Sequence, residues 1–489
     1  MTTMRMPHAT PLLEQTRSLT HNPFCLLICF ALCCNFLQTT EHDRQRLLEV
    51  VVLGMMAMTP LLRSPGPGPV FSSSGGKPLA AFFLLGVLGS LQAFSTPYAL
   101  FEVSMFFLLY VFALRIAREI ELGGDTVLLR LLQCVAAICA AHSLKFWIAY
   151  VTALILGIPL EVRDFVIGFS NIRFFNHTQT PILPLLILLC CVTPRQSRLR
   201  WLWWSLTAYW WMAIFALSGR GTMLGMAGGC IAVALLRQRL ALPYLRTVAI
   251  SAALGLLAYA VFLVAIPILT GGTAFGAFAA VIERTAADPA SNRFVLWRRA
   301  LELILAHPWL GAGPMHFAHN AGDLHTGAHP HDWIMQIASE WGIPAFLCLC
   351  SALALSSHTL VRAGRNLSLE NRLDQNICNA LVAGGAAILV DGLVSGLFVM
   401  PQSQLAVVLY LGCAIGWSRA QAGHIHGEAI PTRRNVAVLG VLIAGAALCV
   451  VIVVWPDVQA RYHNDPWSPA VKALNQGTKW PRLWRAGYF

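Results

Sequence analysis

Residues 435–455 read NVAVLGVLIAGAALCVVIVVW, without one charged side chain. A helix needs roughly 20 such residues to cross the hydrocarbon core of a bilayer. This stretch decides the fold because comparable runs recur along the whole chain. They fall at about 24–40, 47–62, 78–95, 97–115, 126–157, 179–193, 201–217, 222–236, 246–269, 333–358, 376–399, 402–418 and 435–455. The expected fold class is an all-α polytopic transmembrane bundle of 12–13 spans with one large, partly helical loop on its outer side.

Composition agrees. Of 489 residues, 57% are hydrophobic and 11% charged, and the mean hydropathy is +0.64. A soluble domain carries roughly 25% charge, so this supply cannot coat the three or so soluble domains that such a length would otherwise suggest. Most of the 14 cysteines, Cys25, Cys29, Cys33, Cys190 and Cys191 among them, lie in apolar runs, where a thiol behaves as a small hydrophobe. No CxxC pair is present, which argues against a thiolate zinc site. The first apolar run leads into EHDRQR without a small-residue cleavage site, so no cleavable signal peptide is expected.

The net charge is +12, but the positive residues sit mainly in short gaps between spans, so no nucleic-acid face is expected. They orient the chain instead. With the N-terminus inside, sixteen Lys and Arg fall in inner loops, and only Arg44, Arg46, Arg163, Arg173 and Arg220 in the short outer ones. Segment 126–157 is read as one long tilted helix, because a split at His142–Lys145 would put the Arg-rich loops outside. The expected organisation is an inner tail at 1–23, spans over 24–269, an outer loop at 270–332, spans over 333–455, and an outer tail at 456–489. No internal repeat is seen, which argues against a transporter built from duplicated halves.

Loop 270–332 is too long and polar for a connector, and long ordered loops are usually functional. Its segment SNRFVLWRRALELILAHPWLGAG (291–313) predicts a helix capped by Ser291 or Asn292 and stopped by Pro308 and Gly311. A helical wheel gathers Phe294, Trp297, Leu301, Ile304 and Leu305 on one face, with Arg298, Arg299 and Glu302 opposite, where Glu302 pairs with both arginines. Arg293 projects from the first turn on the apolar side. There it either meets an anion, aided by free N–H groups, or snorkels to water.

In SGRGT (218–222), glycines flank Arg220 and permit tight turns and close approach to a ligand; Thr222 is a candidate cap for the next helix. The plain alternative is a hairpin whose arginine touches lipid phosphates. In AHPHDWIMQIASEWGIPA (328–345), His331 and Asp332 are expected to begin the next span, where the helix N-terminus favours a neutral imidazole. Pro330 restricts His329 to extended backbone, pointing the two histidines apart. The rival reading is a metal site, from His316, His319, His325, His329, His331 and Asp323. Asp391 lies within a span, where a carboxylate is a functional candidate; its expected partner is Arg220, Arg293 or His331, and the alternative is a helix-packing hydrogen bond. In SNIRFFNHTQTPILP (170–184), Arg173, Asn176, His177 and Gln179 either line a polar cleft or solvate a helix end.

Taken together, SGRGT, the run from Arg293 through HPWLGAG, HPHDW and the E-x-G-I-P pattern at 340–344 resemble the O-antigen ligase and polymerase superfamily of bacterial membrane glycosyltransferases. The resemblance covers most of the chain between about 170 and 420. One departure is Asp332, where the family usually has Asn after the histidine.

The resemblance implies a multi-pass protein of the bacterial inner membrane with its loop and site facing the periplasm. It implies transfer of a preassembled glycan from undecaprenyl pyrophosphate to an acceptor hydroxyl, which for the ligase belongs to lipid A–core. Arg220 and Arg293 suit the leaving pyrophosphate, and His331 suits the base. Asp391 would orient His331 or brace an arginine, with Arg173, Asn176, Gln179 and His329 as substrate contacts. In-line attack implies inversion at the anomeric carbon. Two guanidinium groups can stand in for a metal, so no metal and no cofactor are expected. O-antigen polymerase and protein O-oligosaccharyltransferase are the nearest alternatives, and a lipid-linked glycan transporter is the alternative of another class. One dominant outer loop and a short tail after Trp455 favour the ligase.

Overall fold

The computed structural model describes residues 22–37, 42–58, 75–272, 274–275, 293–423, 433–463 and 482–484. The expected cap at Ser291 or Asn292 lies outside them. Among the described residues the chain is helical, without strands. The helices are α1 (Pro23–Leu37), α2 (His42–Met58), α3 (Gly76–Gln92), α4 (Thr96–Leu156), α5 (Ile172–Val192), α6 (Leu199–Ala216) and α7 (Arg220–Arg237). There follow α8 (Leu242–Ala258, carried on through a wide turn to Leu269), α9 (Arg293–Ala306), α10 (Trp333–Trp341), α11 (Ile343–Arg365), α12 (Arg372–Gly392), α13 (Pro401–Gly423) and α14 (Arg433–Tyr462). The protein is an all-α polytopic bundle.

Among the described residues, seven stretches are long and apolar enough to cross a membrane. Two of them, Thr96–Leu156 and Arg220–Leu269, run to 61 and 50 residues, far beyond the roughly 20 needed. Each is two limbs. In α4 the break is Gly124, with φ 61° and ψ −156°. Its consequence follows from two contacts with α1. The Glu119 carboxylate accepts from the N–H groups of Phe24 and Cys25, and Lys145 Nζ donates to the carbonyls of Phe36 and Leu37. A straight helix would separate Glu119 from Lys145 by about 39 Å, whereas Phe24 and Leu37 are only about 20 Å apart along α1. The chain therefore reverses at Gly124, and its second limb runs alongside α1. The other reversal falls at Gln238, φ 50°.

Several spans differ from their sequence reading; the one expected at 47–62 starts at His42, so that Arg44 and Arg46 lie within α2 and not in an outer loop, with Arg46 buried. The stretch expected at 333–358 breaks at Gly342 (φ 85°) into the short α10 and the long α11, because Gly-Ile-Pro stops one helix and starts another. The stretch expected at 376–399 begins at Arg372 and leaves helix at Gly392, so that residues 393–400 form a turn over the end of the bundle.

The interior helix is α5, whose apolar window is 89% buried, against 17% for the windows in α7–α8, α11 and α14, which lie on the outside of the bundle. Beside α5, α7 and α12 pack unusually close. Gly221, Gly225 and Gly229 form a small-residue stripe, and a Cβ at Gly225 would stand 2.7 Å from the Ala387 carbonyl oxygen. Such stripes let helix backbones meet where no hydrophobic effect drives association. The far end of the pair is tied by Arg237, which donates to Asn379 Oδ1 at 3.2 Å and to Gln375.

Candidate functional site

Opposite the Arg237 end, the N-termini of α5 and α7 meet the C-terminus of α12. Asn171 caps α5 by accepting from Arg173 N–H at 2.9 Å, leaving Arg173 exposed on the first turn. One turn deeper, Asn176, His177 and Gln179 are buried. Helix α7 starts at Arg220, with Gly219 at its N-cap and no side-chain cap. Thr222 therefore does not cap it; its hydroxyl donates to the Asn176 carbonyl at 2.9 Å and stitches α7 to α5.

Asp391 is fully buried. Its Oδ2 accepts from Thr180 Oγ1 at 2.5 Å, and Gly221 presses so closely that a Cβ there would overlap Oδ1. The direct hydrogen-bond partner is thus a threonine on α5 and not one of the three expected cations, because α7 brings backbone, not the Arg220 side chain, against the carboxylate. Arg293 nonetheless lies within electrostatic reach of Asp391.

The loop supplies the other half. In α9 the residues that pack inward are Leu296, Ala300 and Leu303, which cover Phe317 and Ala321. Phe294, Leu301 and Leu305 are 68%, 48% and 82% exposed, so much of the broad apolar face of the wheel points away from the protein, while Trp297 and Ile304 stay half-buried. At the rim of a membrane bundle lipid is the better partner for that face, and the narrower Leu/Ala stripe docks. The polar side behaves as expected. Glu302 accepts from Arg298 Nε at 3.1 Å and Arg299 Nε at 3.2 Å, and Arg299 also clamps the Asp323 carboxylate with two bonds of 2.9 Å.

Two motif segments form one backbone clasp. Ala312 and Gly313 donate to the carbonyls of Ser339 and Glu340 at 2.9 and 3.0 Å, and Ile343 donates back to Pro308 at 2.8 Å. Gly311 (φ 71°) and Gly342 (φ 85°) sit where their Cβ atoms would strike Glu340 and Trp309 backbone. The glycines of HPWLGAG and E-x-G-I-P are there to let two chains touch.

The clasp holds α10, and His331 and Asp332 begin α10 and not a span. Asp332 is its N-cap, accepting from Ile334 and Met335 N–H at 2.8 and 3.1 Å. Asn caps about equally well, which accounts physically for Asp at this position. His331 adopts left-handed backbone, φ 56°. That turn folds it back on His329, so the two rings stand 4.0 Å apart, edge to face, and not in the diverging directions expected from Pro330 alone. Trp297 Nε1 donates to the Pro330 carbonyl at 3.1 Å, and Trp333 Nε1 to the Leu389 carbonyl at 3.2 Å. The His331 segment is thereby fastened to α9 on one side and to the Asp391 turn of α12 on the other. Burial, then the charges of Arg293 and Arg173, hold the His331 imidazole well below its ordinary value of 6.5, so it is neutral at physiological pH.

The histidines of the rival metal reading include two pairs, His316 with His319, their rings 6.3 Å apart, and His329 with His331. His316 accepts from Ser95 N–H at 2.8 Å, His319 stacks on Phe94 at 4.0 Å, and Asp323 is engaged by Arg299. Among the described residues no three His, Cys, Asp or Glu side chains converge.

His331, Arg293, Arg173 and His177 thus act on one another, with Asp391 within electrostatic reach of Arg293. Arg220 is exposed on the first turn of α7, next to Gly221. Asn176 backs Gly219, its amide nitrogen 3.0 Å from where a Cβ would stand. Gln179 lies deeper, donating to the Trp210 carbonyl at 3.1 Å, and His329 packs beneath Gly396. His177 is the residue underweighted by sequence reading. Its signal was its place one turn inside a capped helix beside Asn176, too weak to separate it from a helix-end polar residue.

Arg293, Arg173 and a neutral His331 thus gather at one end of a multi-pass helical bundle. Residues 206–350, from α6 through the loop into α11, match the family described as O-antigen ligase, a match that supports a place in the O-antigen ligase/polymerase superfamily. The matched stretch holds Arg220, Arg293 and His331. No curated protein matches the chain. The match supports, in general terms, glycosyltransferase-like activity on lipid-linked glycans.

Proposed function

We propose that the protein transfers a preassembled O-antigen glycan from undecaprenyl pyrophosphate to a hydroxyl of lipid A–core, at the periplasmic face of the bacterial inner membrane. The observation that carries this reading is the neutral His331 set among Arg293, Arg173 and His177 at the bundle end where α7 presents Arg220. A base must be unprotonated, and a departing diphosphate must be met by cations.

In the proposed step, the acceptor oxygen bonds to the anomeric carbon as the bond from that carbon to the pyrophosphate oxygen breaks. The acceptor proton passes to His331 Nε2 or Nδ1, and undecaprenyl pyrophosphate leaves with its charge held by Arg220 and Arg293. One displacement inverts the anomeric centre. Asp391 acts on Arg293, bracing it, while Arg173 lines the approach and the buried Asn176, Gln179 and His329 support the site from behind. The two guanidinium forks take the place of a divalent ion, so the reaction runs without metal.

Reconstitution with undecaprenyl-pyrophosphate glycan and lipid A–core tests the reading. His331→Ala should abolish transfer, and Arg220→Lys, which keeps the charge but loses the fork, should retain only part of it. Undiminished transfer by His331→Ala would refute the base assignment. Activity lost in EDTA and restored by a divalent ion would refute metal independence, and longer glycans never joined to lipid A would mean a polymerase.

A further inference from the structure

We infer that Arg482 is a positioning residue for the loop that carries His331; its expected effect on turnover rests on the reading just proposed, its effect on loop order does not. Arg482 is 3% exposed. Its Nη2 donates to both oxygens of Glu102 at 2.9 Å and to Glu340 Oε2 at 2.5 Å. With its amide oxygen turned inward, Gln336 accepts from Nη1 at 2.8 Å. Glu340 uses its other oxygen to accept from Phe317 N–H at 3.0 Å, and its carbonyl is one of the clasp bonds to Gly313. One guanidinium therefore ties α4, α10 and the clasp together.

The anchor is itself held. The Arg482 carbonyl accepts from Arg46 Nη2 at 3.3 Å, and Trp484 Nε1 donates to Asp457 at 2.7 Å. Arg46 is occupied by Glu49, Gln404 and the Val399 carbonyl, so it acts on Glu102 only from a distance, and Arg482 is the cation bonded to both carboxylates. Without Arg482 two buried carboxylates would face each other across the α4–α10 contact, and removing one partner of such a group is strongly destabilising.

The consequence reaches the site because α10 is short. Nine helical residues span about 14 Å, with Gln336 and Glu340 gripped by Arg482 at one end and His331–Asp332 at the other. This gives Glu340 of the E-x-G-I-P pattern a task that the transfer chemistry leaves unassigned.

The test combines hydrogen exchange in nanodiscs with steady-state transfer, on wild type, Arg482→Met and Arg482→Lys. Arg482→Met should speed exchange over residues 311–342 by about 100-fold or more, leave α5 protected, and lower kcat at least about tenfold with a smaller change in donor KM. Arg482→Lys should restore most of the protection. Unchanged exchange in Arg482→Met overturns the inference, as does equal loss of protection in α5. If that variant does not fold, Glu340→Gln decides, since it keeps the Phe317 contact and loses the ion pair; unchanged local exchange there overturns the inference. A wild-type protein that shows no transfer would overturn the functional reading and leave the exchange result standing.

Discussion

Gly221 and Asp391 are in direct contact, the backbone of α7 lying where a single methyl group would overlap the carboxylate oxygen. The contact makes the glycine of SGRGT a packing requirement of the site. Gly221→Ala should therefore destabilise the protein by about 1–3 kcal/mol, the usual cost of overpacking, and depress transfer. Gly440→Ala in α14, where a Cβ meets nothing within 4 Å, should be neutral or slightly stabilising. Thermal unfolding of both variants in detergent checks the contrast, and equal melting temperatures would refute it.

Asp332 acts through its capping oxygen. Asp332→Asn should preserve stability and activity nearly intact, whereas Asp332→Ala should cost about 1 kcal/mol and disturb His331 beside it. A variant series in the reconstituted assay distinguishes these outcomes; strong loss with Asn would mean that the charge itself is used.

Gly342→Ala should open the clasp. The residue combines φ 85° with a Cβ position against the Trp309 carbonyl, and such backbone strain costs of order 1–3 kcal/mol before the clash is added. Limited proteolysis should then cut within 307–316 at a rate the wild type does not show.

Acid should inactivate later than an ordinary histidine would dictate. The His331 value lies well below 6.5, from burial first and the Arg293 and Arg173 charges next, so the acid limb of kcat/KM should fall below pH 6.5. Arg293→Gln removes one cause and should move that limb upward, apart from its effect on rate. The linkage to stability has the same direction. Below pH 6.5 the unfolded chain binds protons that folded His331 and His329 do not, so stability rises with pH through this window and declines as pH drops. An acid limb at or above pH 6.5 in the wild type would contradict the assignment.

The helical, membrane-spanning class was legible because it depends on run length and charge scarcity, which are properties of the sequence alone. Arg293, Arg220 and His331 were legible as exceptions to that pattern. What misled was local reasoning about direction. The wheel of α9 ranked its faces by apolarity, but protein and lipid compete for an apolar face at a membrane rim, and Phe294, Leu301 and Leu305 went outward. Pro330 alone pointed the histidines apart, and the left-handed turn at His331 brought them together.

By itself the sequence determined the helical, membrane-spanning class, the charge asymmetry and the few arginines that an apolar chain would not otherwise carry. Only the tertiary structure decided that Asp391 answers to Thr180, that the glycines of two distant motifs form one clasp, and that Arg482 reaches Glu102 and Glu340. Each of these joins segments far apart in the chain, and periodicity reports only on neighbours within a few turns. The close contacts depend instead on which backbones pack without a side chain between them.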